Sequence, residues 1–403
     1  MSIYSGPNPN LRNQPNGVPN LAVPEGSPSL YIDFVNNQYE TVNNGIKTAS
    51  SNAMSLITFT RSSNATYTAA NGTIQYVANN VPRFDYDSTT GYCKGLLIEE
   101  QRTNLLTNSV YPLSANTSPT STLYGINLYP VTSDSSTQVY YTWNGVGGNS
   151  AFFTVNSGST YTVSLYCKPG TATSFLVSLV NNVGTNISGG QTSISLPTNG
   201  GRITCTMTAS ASSTSAQVQI LSTIGTTAQI GGIQVEQGSF ATSYIPTVGS
   251  TATRIQDYSY IGNQIINPNN GSIHVKFSQL QNVYPSYILG SAGGPWYSML
   301  RGENSTTWGF SDSVGDKYLL SFTPAPIYQA ALSWSNSTLS VNLNVNGSTA
   351  TSAFSGSFSN STTNNLYLMC FGNPVNPVGS GWLKTIAYYS QVLSNTSLQQ
   401  ITT

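Results

Sequence analysis

The sequence predicts an all-β protein, with two jelly-roll or β-sandwich domains preceded by an extended amino-terminal arm and a small β-hairpin module. Three observations support this fold class. Only 6% of the 403 residues are charged, whereas helix surfaces depend on many Glu, Lys and Arg side chains. The hydrophobic content of 38%, with 11% aromatic residues, is enough to build packed cores. Short alternating stretches recur about every ten residues between clusters of Gly, Asn and Ser, which is typical of sandwiches and barrels.

Residues 1–28 form the predicted arm. Closely spaced prolines disfavour helix and sheet there, because each removes a backbone donor and fixes φ. A frayed terminus is one interpretation of this segment. We favour an arm that docks onto a larger assembly, because four apolar side chains are spaced as anchors for a partner's groove: Leu11, Val18, Leu21 and Val23. The first 24 residues also lack the apolar core of a signal peptide, so no secretion signal is expected.

Residues 29–104 form the predicted hairpin module, which either folds alone or packs on, or within, one of the sandwiches. Leu30, Ile32 and Phe34 alternate as in a strand. Residues 66–77 predict a hairpin around Asn71-Gly72, since this pair tolerates the positive φ angles of a type I′ turn.

Residues 105–250 and 251–403 are the two predicted sandwiches. In the first, strands are predicted at Val139–Trp143, Ala151–Val155, Tyr161–Cys167, Phe175–Leu179, Thr192–Leu196, Arg202–Thr208, Gln217–Leu221 and Ile230–Val235. In the second, they are predicted at Ser272–Phe277, Tyr287–Leu289, Tyr297–Leu300, Trp308–Phe310, Tyr318–Phe322, Ala330–Ser335, Leu339–Val345 and Leu366–Met369. Asn346-Gly347 predicts a hairpin turn, and Leu393–Ile401 a short helix with Ser394 as its N-cap.

Motifs for catalysis, cofactors and metals are absent from the sequence. No catalytic residue, no cofactor and no metal site is therefore expected. Cys167 and Cys205 lie on apolar strand faces, so we expect reduced core thiols, with a disulfide between them as the alternative. His274 and Lys276 alternate with apolar residues and are expected on an exposed strand face.

Eight of the charged residues cluster between positions 61 and 102: Arg61, Arg83, Asp85, Asp87, Lys94, Glu99, Glu100 and Arg102. We interpret them as ion pairs that hold the module together. The alternative is a catalytic acid pair at Glu99 and Glu100. Adjacent strand residues point to opposite faces, however, whereas hydrolysis of a glycosidic bond needs both carboxylates around one substrate.

Tryptophans offer candidate platforms for sugar rings. Trp334 lies in a core-like strand and is expected to be structural. Trp296 follows Gly and Pro residues that mark a loop. We therefore predict a glycan-binding site at Trp296 and the adjacent Tyr297.

Charge and hydropathy exclude two kinds of partner. The net charge is zero and only 13 residues are basic, which leaves little capacity to neutralise phosphates, so no nucleic acid is expected as a partner. No apolar run reaches about 18 residues, so no membrane insertion is expected.

Three regions of the sequence resemble known proteins, and the first two resemble parts of tailed-bacteriophage virion surface proteins. Residues 59–67 (FTRSSNATY), 81–87 (VPRFDYD) and 95–106 (GLLIEEQRTNLL) resemble a signature of head-spike and tail-fibre proteins. Residues 230–236 with Gly238, Ala241 and residues 243–247 resemble the last strand and exit of carbohydrate-binding-module-like jelly rolls in such proteins. Residues 333–334, 339–347 and 386–394 with Leu398 look like the closing strands of a laminin-G or concanavalin-type lectin sandwich. The resemblance implies a spike or fibre subunit, often a homotrimer, that contacts host glycans.

These observations together predict a non-enzymatic virion structural protein on the surface of a phage particle. Its arm would bind other virion proteins of the capsid or tail, and its sandwiches would attach to a host-surface glycan. A surface rich in Ser, Thr, Asn and Tyr suits hydroxyl-rich ligands, and display of many copies adds avidity. One alternative is a capsid decoration or cement protein without receptor binding. Others are a polysaccharide depolymerase and a secreted bacterial adhesin.

Overall fold

The computed structural model describes residues 23–43, 46–110, 118–132, 141–142, 152–262, 265–267, 270–280, 286–291, 298–304, 307–312, 315–321, 326–335, 338–345, 348–355, 365–369 and 379–402. These residues are almost entirely β-strand, which confirms the predicted all-β class. Within them, no helix has the length and apolarity that a membrane crossing requires.

The strands follow one another closely along the chain. Residues 23–104 form β1 (Leu30–Asp33), β2 (Gln38–Asn43), β3 (Ile46–Ser50), a 3₁₀ turn (Ala53–Ser55), β4 (Thr58–Thr60), β5 (Ala65–Thr68), β6 (Ile74–Val77), β7 (Arg83–Tyr86), β8 (Cys93–Ile98) and β9 (Arg102–Asn104). Residues 118–237 form β10 (Ser121–Leu123), β11 (Ile126–Thr132), β12 (Tyr141–Thr142), β13 (Phe153–Val155), β14 (Thr160–Pro169), β15 (Ser174–Val180), β16 (Thr192–Ser195), β17 (Gly201–Thr208), β18 (Ser213–Leu221) and β19 (Thr227–Gln237).

The remaining elements are β20 (Ala252–Arg254), β21 (Tyr258–Ile261), β22 (Gly271–Gln279), β23 (Ser286–Ser291), β24 (Ser298–Asn304), β25 (Thr307–Asp312), β26 (Gly315–Ser321), β27 (Tyr328–Trp334), β28 (Thr338–Val345), β29 (Ser348–Ser355), β30 (Leu366–Leu368), β31 (Gly381–Tyr389) and the helix α1 (Asn395–Thr402).

The first sandwich consists of two five-stranded sheets. One has the order β10-β11-β19-β14-β17, and the other the order β12-β18-β15-β16 with β13 beside β18. Cys167 and Cys205 lie in the core between them as free thiols, as predicted. The strands β10 and β11 are additional to the predicted ones. Pro130 lies within β11 and weakens the strand signal of this stretch, because proline removes a hydrogen-bond donor from the β-ladder.

The second sandwich takes strands from both ends of the chain. Its larger sheet has the order β29-β28-β27-β22-β31-β1-β2-β3, and β8 and β7 extend it beside β31. Its smaller sheet has the order β26-β25-β24-β23-β30-β21-β4. One hydrophobic core between the two sheets contains Leu30, Leu96, Ile273 and Leu300. Strands from residues 29–104 are therefore integral parts of this sandwich.

The predicted hairpin turns are only partly confirmed by the structure. β5 and β6 pair as the predicted hairpin, but only Gly72 of the Asn71-Gly72 pair has a positive φ, of 81°. The turn is therefore not type I′, which requires positive φ at both residues. β28 and β29 pair across the predicted second hairpin, with Val345 opposite Ser348. Its turn residues, Asn346 and Gly347, lie outside the described residues.

The outer face of the larger sheet is buried around His274, contrary to the prediction for this residue. This residue pairs with Ala331 and Ala387 on the neighbouring strands and has 0% exposure. Both alanines belong to a cluster with Leu398 and Ile401 of α1, so the helix covers a strand face that the alternation pattern assigns to solvent. The helix itself was predicted correctly.

The start of the described chain is joined to that helix. Ser394 Oγ accepts a hydrogen bond from Ser397 N at 3.2 Å, which confirms the predicted N-cap. Glu25 adds a carboxylate at the same helix end, accepting from Ser394 N at 3.0 Å and from Ser397 Oγ at 2.5 Å. These bonds lower the pKa of Glu25 to about 2.

Candidate functional site

A cleft of about 430 Å³ lies where the two sandwiches and the β5–β6 hairpin meet. Tyr67 and Thr68 of the hairpin form one wall. Arg202 and Tyr166, on the outer face of the first sandwich, form a second wall, and Trp382 on β31 belongs to a third. Because all three parts of the fold contribute, the cleft depends on how they are joined.

Hydrogen bonds fix the hairpin over the first sandwich. Ile74 N donates to Tyr124 O at 2.7 Å, which ties β6 to the turn between β10 and β11. Thr66 Oγ1 donates to Tyr244 O at 2.5 Å, which ties β5 to the segment that leaves β19. The hairpin wall is therefore held at both of its strands.

Two buried tyrosines form the floor of the cleft. Tyr166 is 3% exposed and Tyr244 is 2% exposed, and their rings meet edge to face at 5.9 Å. The Tyr244 hydroxyl is 2.9 Å from Ser109 Oγ, and burial raises the pKa of Tyr244. Burial of both rings, together with the bond to the Tyr244 hydroxyl, holds this floor in place.

Tyr124 stands at the rim in an unfavourable backbone conformation. It has φ of 54° and is followed by Gly125 with φ of 81°, so the two residues form a type I′ turn between β10 and β11. A bulky L-residue rarely adopts positive φ, because its Cβ approaches the following carbonyl oxygen. The partly exposed Tyr124 ring meets Tyr166 edge to face at 6.3 Å.

Trp382 is held in place by two charged residues. Its Nε1 donates to Asp85 Oδ2 at 2.9 Å, and Lys94 Nζ lies 4.3 Å from the centroid of its ring. Lys94 Nζ is also 2.5 Å from Asp85 Oδ2, so this cation and this carboxylate neutralise each other. The indole therefore presents an oriented, partly exposed aromatic surface to the cleft.

Arg202 supplies a second cation. Its Nη1 donates to Thr242 O at 2.7 Å, and its Nη2 donates to Ser164 Oγ at 2.8 Å. Its guanidinium carbon lies 5.6 Å from the centroid of the Tyr166 ring, which is a cation–π distance. Both hydrogen-bond acceptors are neutral, so the positive charge of Arg202 remains on the cleft wall.

A buried ionic network lies behind the cleft. Arg83 Nη1 is 2.6 Å from Glu99 Oε2, Arg83 Nη2 pairs with Asp257, and Arg61 Nη1 is 3.0 Å from Asp257 Oδ1. Arg254 Nε is 3.4 Å from Glu99 Oε2. Ser243 donates to Glu99 through both its backbone N and its Oγ, each at 2.7 Å. The network therefore joins residues of three distant parts of the chain.

The electrostatics of this network favour the ionised carboxylate. Burial alone would raise the pKa of Glu99, but Arg254 and Arg83 lower it to about 2. The predicted ion pairing is confirmed for Arg83 with Glu99 and for Arg102 with Glu100. Asp85 pairs with Lys94, whereas the Asp87 carboxylate accepts hydrogen bonds from the turn residues Thr89 and Thr90.

Two partners in the network are absent from the prediction, Arg254 and Asp257. They lie about 150 residues beyond the charged cluster. Only the fold brings them to the cluster. Each carboxylate of the alternative acid pair has an arginine partner: Glu99 is enclosed by Arg83 and Arg254, and Glu100 is bound to Arg102.

The predicted site residues fall largely outside the part of the chain that is described. The predicted site residues outside the described part are Trp296, Tyr297 and the arm residues Leu11, Val18 and Leu21. Val23 is described and is 8% exposed, packed in the cluster that covers the outer face of the larger sheet. Its side chain therefore contributes to the chain's own core.

Trp334 is structural, as predicted. It is 2% exposed, it stacks on Tyr388 at 6.0 Å, and its Nε1 donates to Asn267 O at 3.1 Å. The cleft residues Tyr124, Tyr166, Arg202 and Trp382 were missed as site residues. The pair Tyr124-Gly125 between two short apolar stretches is a turn signal, and it could have indicated the rim residue. No local pattern shows that Tyr166, Arg202 and Trp382 come together at the cleft.

Among the described residues, no group of three or more His, Cys, Asp and Glu side chains is arranged to hold a metal ion.

Comparison with known proteins finds likeness only in fold. No protein-family model matches the chain, and no curated protein matches it in sequence. The CBM40 module of the Ruminococcus gnavus IT-sialidase, solved with α2,3-sialyllactose, is 15% identical with a TM-score of 0.28, over 33% of this chain and 82% of that one. Domains LG4–5 of the mouse laminin α1 chain are 11% identical with a TM-score of 0.23, over 74% of this chain and 92% of that one.

The sialidase of Trypanosoma rangeli, solved with the inhibitor DANA, is 13% identical with a TM-score of 0.29. The match covers 36% of this chain and only 25% of the sialidase. At these identities and TM-scores, the likenesses assign neither a ligand nor an activity to this chain.

Proposed function

We propose that this chain is a non-enzymatic surface subunit of a bacteriophage particle, and that its cleft binds a host-surface glycan. One observation carries the binding proposal: partly exposed aromatic rings stand beside neutral hydrogen-bonding groups in a cleft of about 430 Å³. That volume is within the range of small-molecule sites. Tyr67, Tyr124 and Trp382 offer faces or edges to the apolar side of a sugar ring, and Thr68 offers a partner for its hydroxyls.

The rigidity of the cleft supports binding. Tyr124 is fixed by a two-residue turn, by its edge-to-face contact with Tyr166 and by the bond from Ile74 N to its carbonyl. Binding groups that are already ordered lose little conformational entropy when the ligand arrives. A strained non-glycine residue that persists at a rim is also typical of a functional position.

The virion role is supported by the resemblance to phage surface proteins. Three residues of the resembling stretches, Arg61, Arg83 and Glu99, belong to the buried network that joins the sandwiches. The resembling stretches thus supply residues to the junction between the two sandwiches. A homotrimer is part of this proposal, on the same resemblance.

The placement of the arm is compatible with a free cleft. Residue 23 packs beside Tyr389 at one end of β31, whereas Trp382 lies near the other end. Seven residues of extended strand separate these two positions by on the order of 20 Å. An arm that leads from residue 23 into a capsid or tail therefore starts far from the cleft wall at Trp382.

A glycan array probed with the purified chain tests binding, followed by calorimetric titration of the glycans that it retains. We expect Tyr124→Gly to weaken binding at least about tenfold, since it removes the rim ring, while glycine adopts the positive φ of this turn without strain. Phe152→Ala is the matched control. Phe152 is an aromatic residue with 37% exposure that precedes β13, in the opposite sheet of the first sandwich.

Failure of the chain to bind any glycan, or equal affinities of Tyr124→Gly and the unmodified chain, would refute the binding proposal. Binding of phage particles without any glycan would instead favour a decoration or cement protein. Cryo-electron microscopy of the particle tests the virion role, and absence of the chain from the particle contradicts it.

A further inference from the structure

The charges on the cleft wall are unevenly matched. Asp85 is paired with Lys94, and Glu99 is paired with Arg83 and Arg254. Arg202 has no carboxylate within ion-pair distance among the described residues. The cleft therefore carries one positive charge that the described chain leaves without a counter-ion.

The donors of Arg202 are also incompletely used. A guanidinium has five N–H donors in a fixed plane. Thr242 O and Ser164 Oγ each accept one of them, and the buried Nε has no hydrogen-bond partner. Nε is enclosed by the protein, so the donors that remain for a ligand are the second N–H of Nη1 and the second N–H of Nη2, and both favour a ligand that supplies oxygen atoms.

The guanidinium is held in one orientation. Thr242 O fixes Nη1, Ser164 Oγ fixes Nη2, and the Tyr166 ring lies 5.6 Å from the guanidinium carbon. Such an ordered fork matches the geometry of a carboxylate, which it binds with charge-assisted hydrogen bonds. Sugar hydroxyls would satisfy the donors, but they would leave the charge uncompensated.

We propose that the cleft selects glycans that contain an acidic sugar, whose carboxylate binds Arg202 while a neighbouring ring contacts Tyr124. This inference rests on the proposed glycan-binding function and names its ligand class. Arg202 is the specificity-determining residue. Uronic acids and sialic-type acids share the required carboxylate, so the test includes one pair of compounds for each source.

The test measures affinities for matched acidic and neutral oligosaccharides by calorimetric titration of the full chain. One pair is trigalacturonate and its methyl ester, and the other is 3′-sialyllactose and lactose. We expect the acidic member of at least one pair to bind about 10- to 100-fold more tightly than its neutral partner, as for hydrogen bonds to charged groups. We also expect this advantage to shrink as NaCl is raised from about 50 to about 500 mM.

Substitutions assign the preference to Arg202. Arg202→Gln should reduce the ratio of the two affinities to about one, and Arg202→Lys should leave an intermediate ratio, because the charge remains while the fork is lost. Lys47→Gln is the control for general electrostatics, since Lys47 lies on the edge strand β3 with an exposed side chain. Thermal unfolding and circular dichroism check that each variant is folded.

The possible outcomes separate this inference from the function on which it rests. If both members of each pair bind equally and Tyr124→Gly abolishes binding, the cleft binds glycans but the acidic preference is wrong. If Arg202→Gln keeps the full preference, the assignment to Arg202 is wrong. If neither acidic nor neutral oligosaccharides bind, both the inference and the proposed function are overturned.

Discussion

At the scale of single residues, Tyr124 combines a strained backbone with a partly exposed ring. Its φ of 54° is disfavoured for any residue with a Cβ, and the turn would accept glycine or asparagine at lower cost. The ring nevertheless stands at the rim of the cleft, against Tyr166. The strain is therefore measurable separately from the contribution of the ring.

Two variants at this position separate the effect of the strained backbone on stability from the effect of the ring. Tyr124→Ala removes the ring and keeps the strain, whereas Tyr124→Gly removes both. We expect the glycine variant to be more stable than the alanine variant by about 1 kcal/mol, measured by chemical denaturation, because only glycine adopts positive φ without penalty. The reverse order, which is usual inside strands, would show that the position is unstrained.

His274 is the only histidine of the chain, and it is fully buried. Its ring nitrogens make no hydrogen bond of normal geometry, and burial lowers its pKa to about 4 from an ordinary value of 6.5. The nearby cation of Lys276 acts in the same direction. The neutral ring therefore fits the folded state, whereas the unfolded state binds a proton more readily.

The free energy of unfolding therefore decreases as pH falls. Stability is complete above about pH 6.5, and it falls as pH decreases towards 4, where the loss reaches about 3 kcal/mol. Denaturation curves at intervals of pH measure this slope. Glu25 and Glu99, with pKa values of about 2, add losses only below about pH 4.5. In His274→Gln the slope between pH 6.5 and 4.5 should largely disappear; an unchanged slope contradicts the assignment.

At the scale of elements, the buried network adds ion pairs and hydrogen bonds at the junction between the sandwiches. Asp257 precedes β21 and accepts from Arg61 Nη1 at 3.0 Å and from Glu99 N at 2.9 Å, in addition to its pair with Arg83. Loss of this carboxylate would leave two buried guanidinium groups short of a counter-charge. Such a loss is far more costly than breaking a pair on the surface.

Asp257→Asn should accordingly lower the free energy of unfolding by about 3–5 kcal/mol. The control is Glu40→Gln, which breaks the exposed pair with Lys47 at 3.3 Å and should cost less than about 1 kcal/mol. Urea denaturation of both variants measures the difference. Similar, small effects of the two substitutions would mean that the network does not stabilise the junction.

The same network shows what the sequence predicts and what it leaves open. Alternation predicted most strands, and Ser394 predicted the start of α1, because those signals are local. Asp257, the partner of Arg61, lies 196 residues away, and Arg254, a partner of Glu99, lies 155 residues away, and no local pattern connects them. The prediction that His274 is exposed was wrong for a related reason. Alternation in a strand shows that its two faces differ, but it does not show that α1 covers the second face.

At the scale of the whole molecule, the cleft lies where the two sandwiches and the hairpin meet. Neither sandwich alone contains it, because Tyr166 and Arg202 belong to the first, while Trp382 belongs to the second. A prediction made separately for each domain therefore places a binding site within one sandwich. The prediction at Trp296 and Tyr297 follows that logic and stays a prediction, since both residues lie outside the described part of the chain.

A crystal structure of the chain with the tightest-binding glycan from the array tests the central claim most directly. We predict density for a sugar ring against Tyr124, with a carboxylate within hydrogen-bond distance of Arg202. Density for the glycan at any other place, with the cleft filled only by water, would contradict the assignment of this cleft as the binding site.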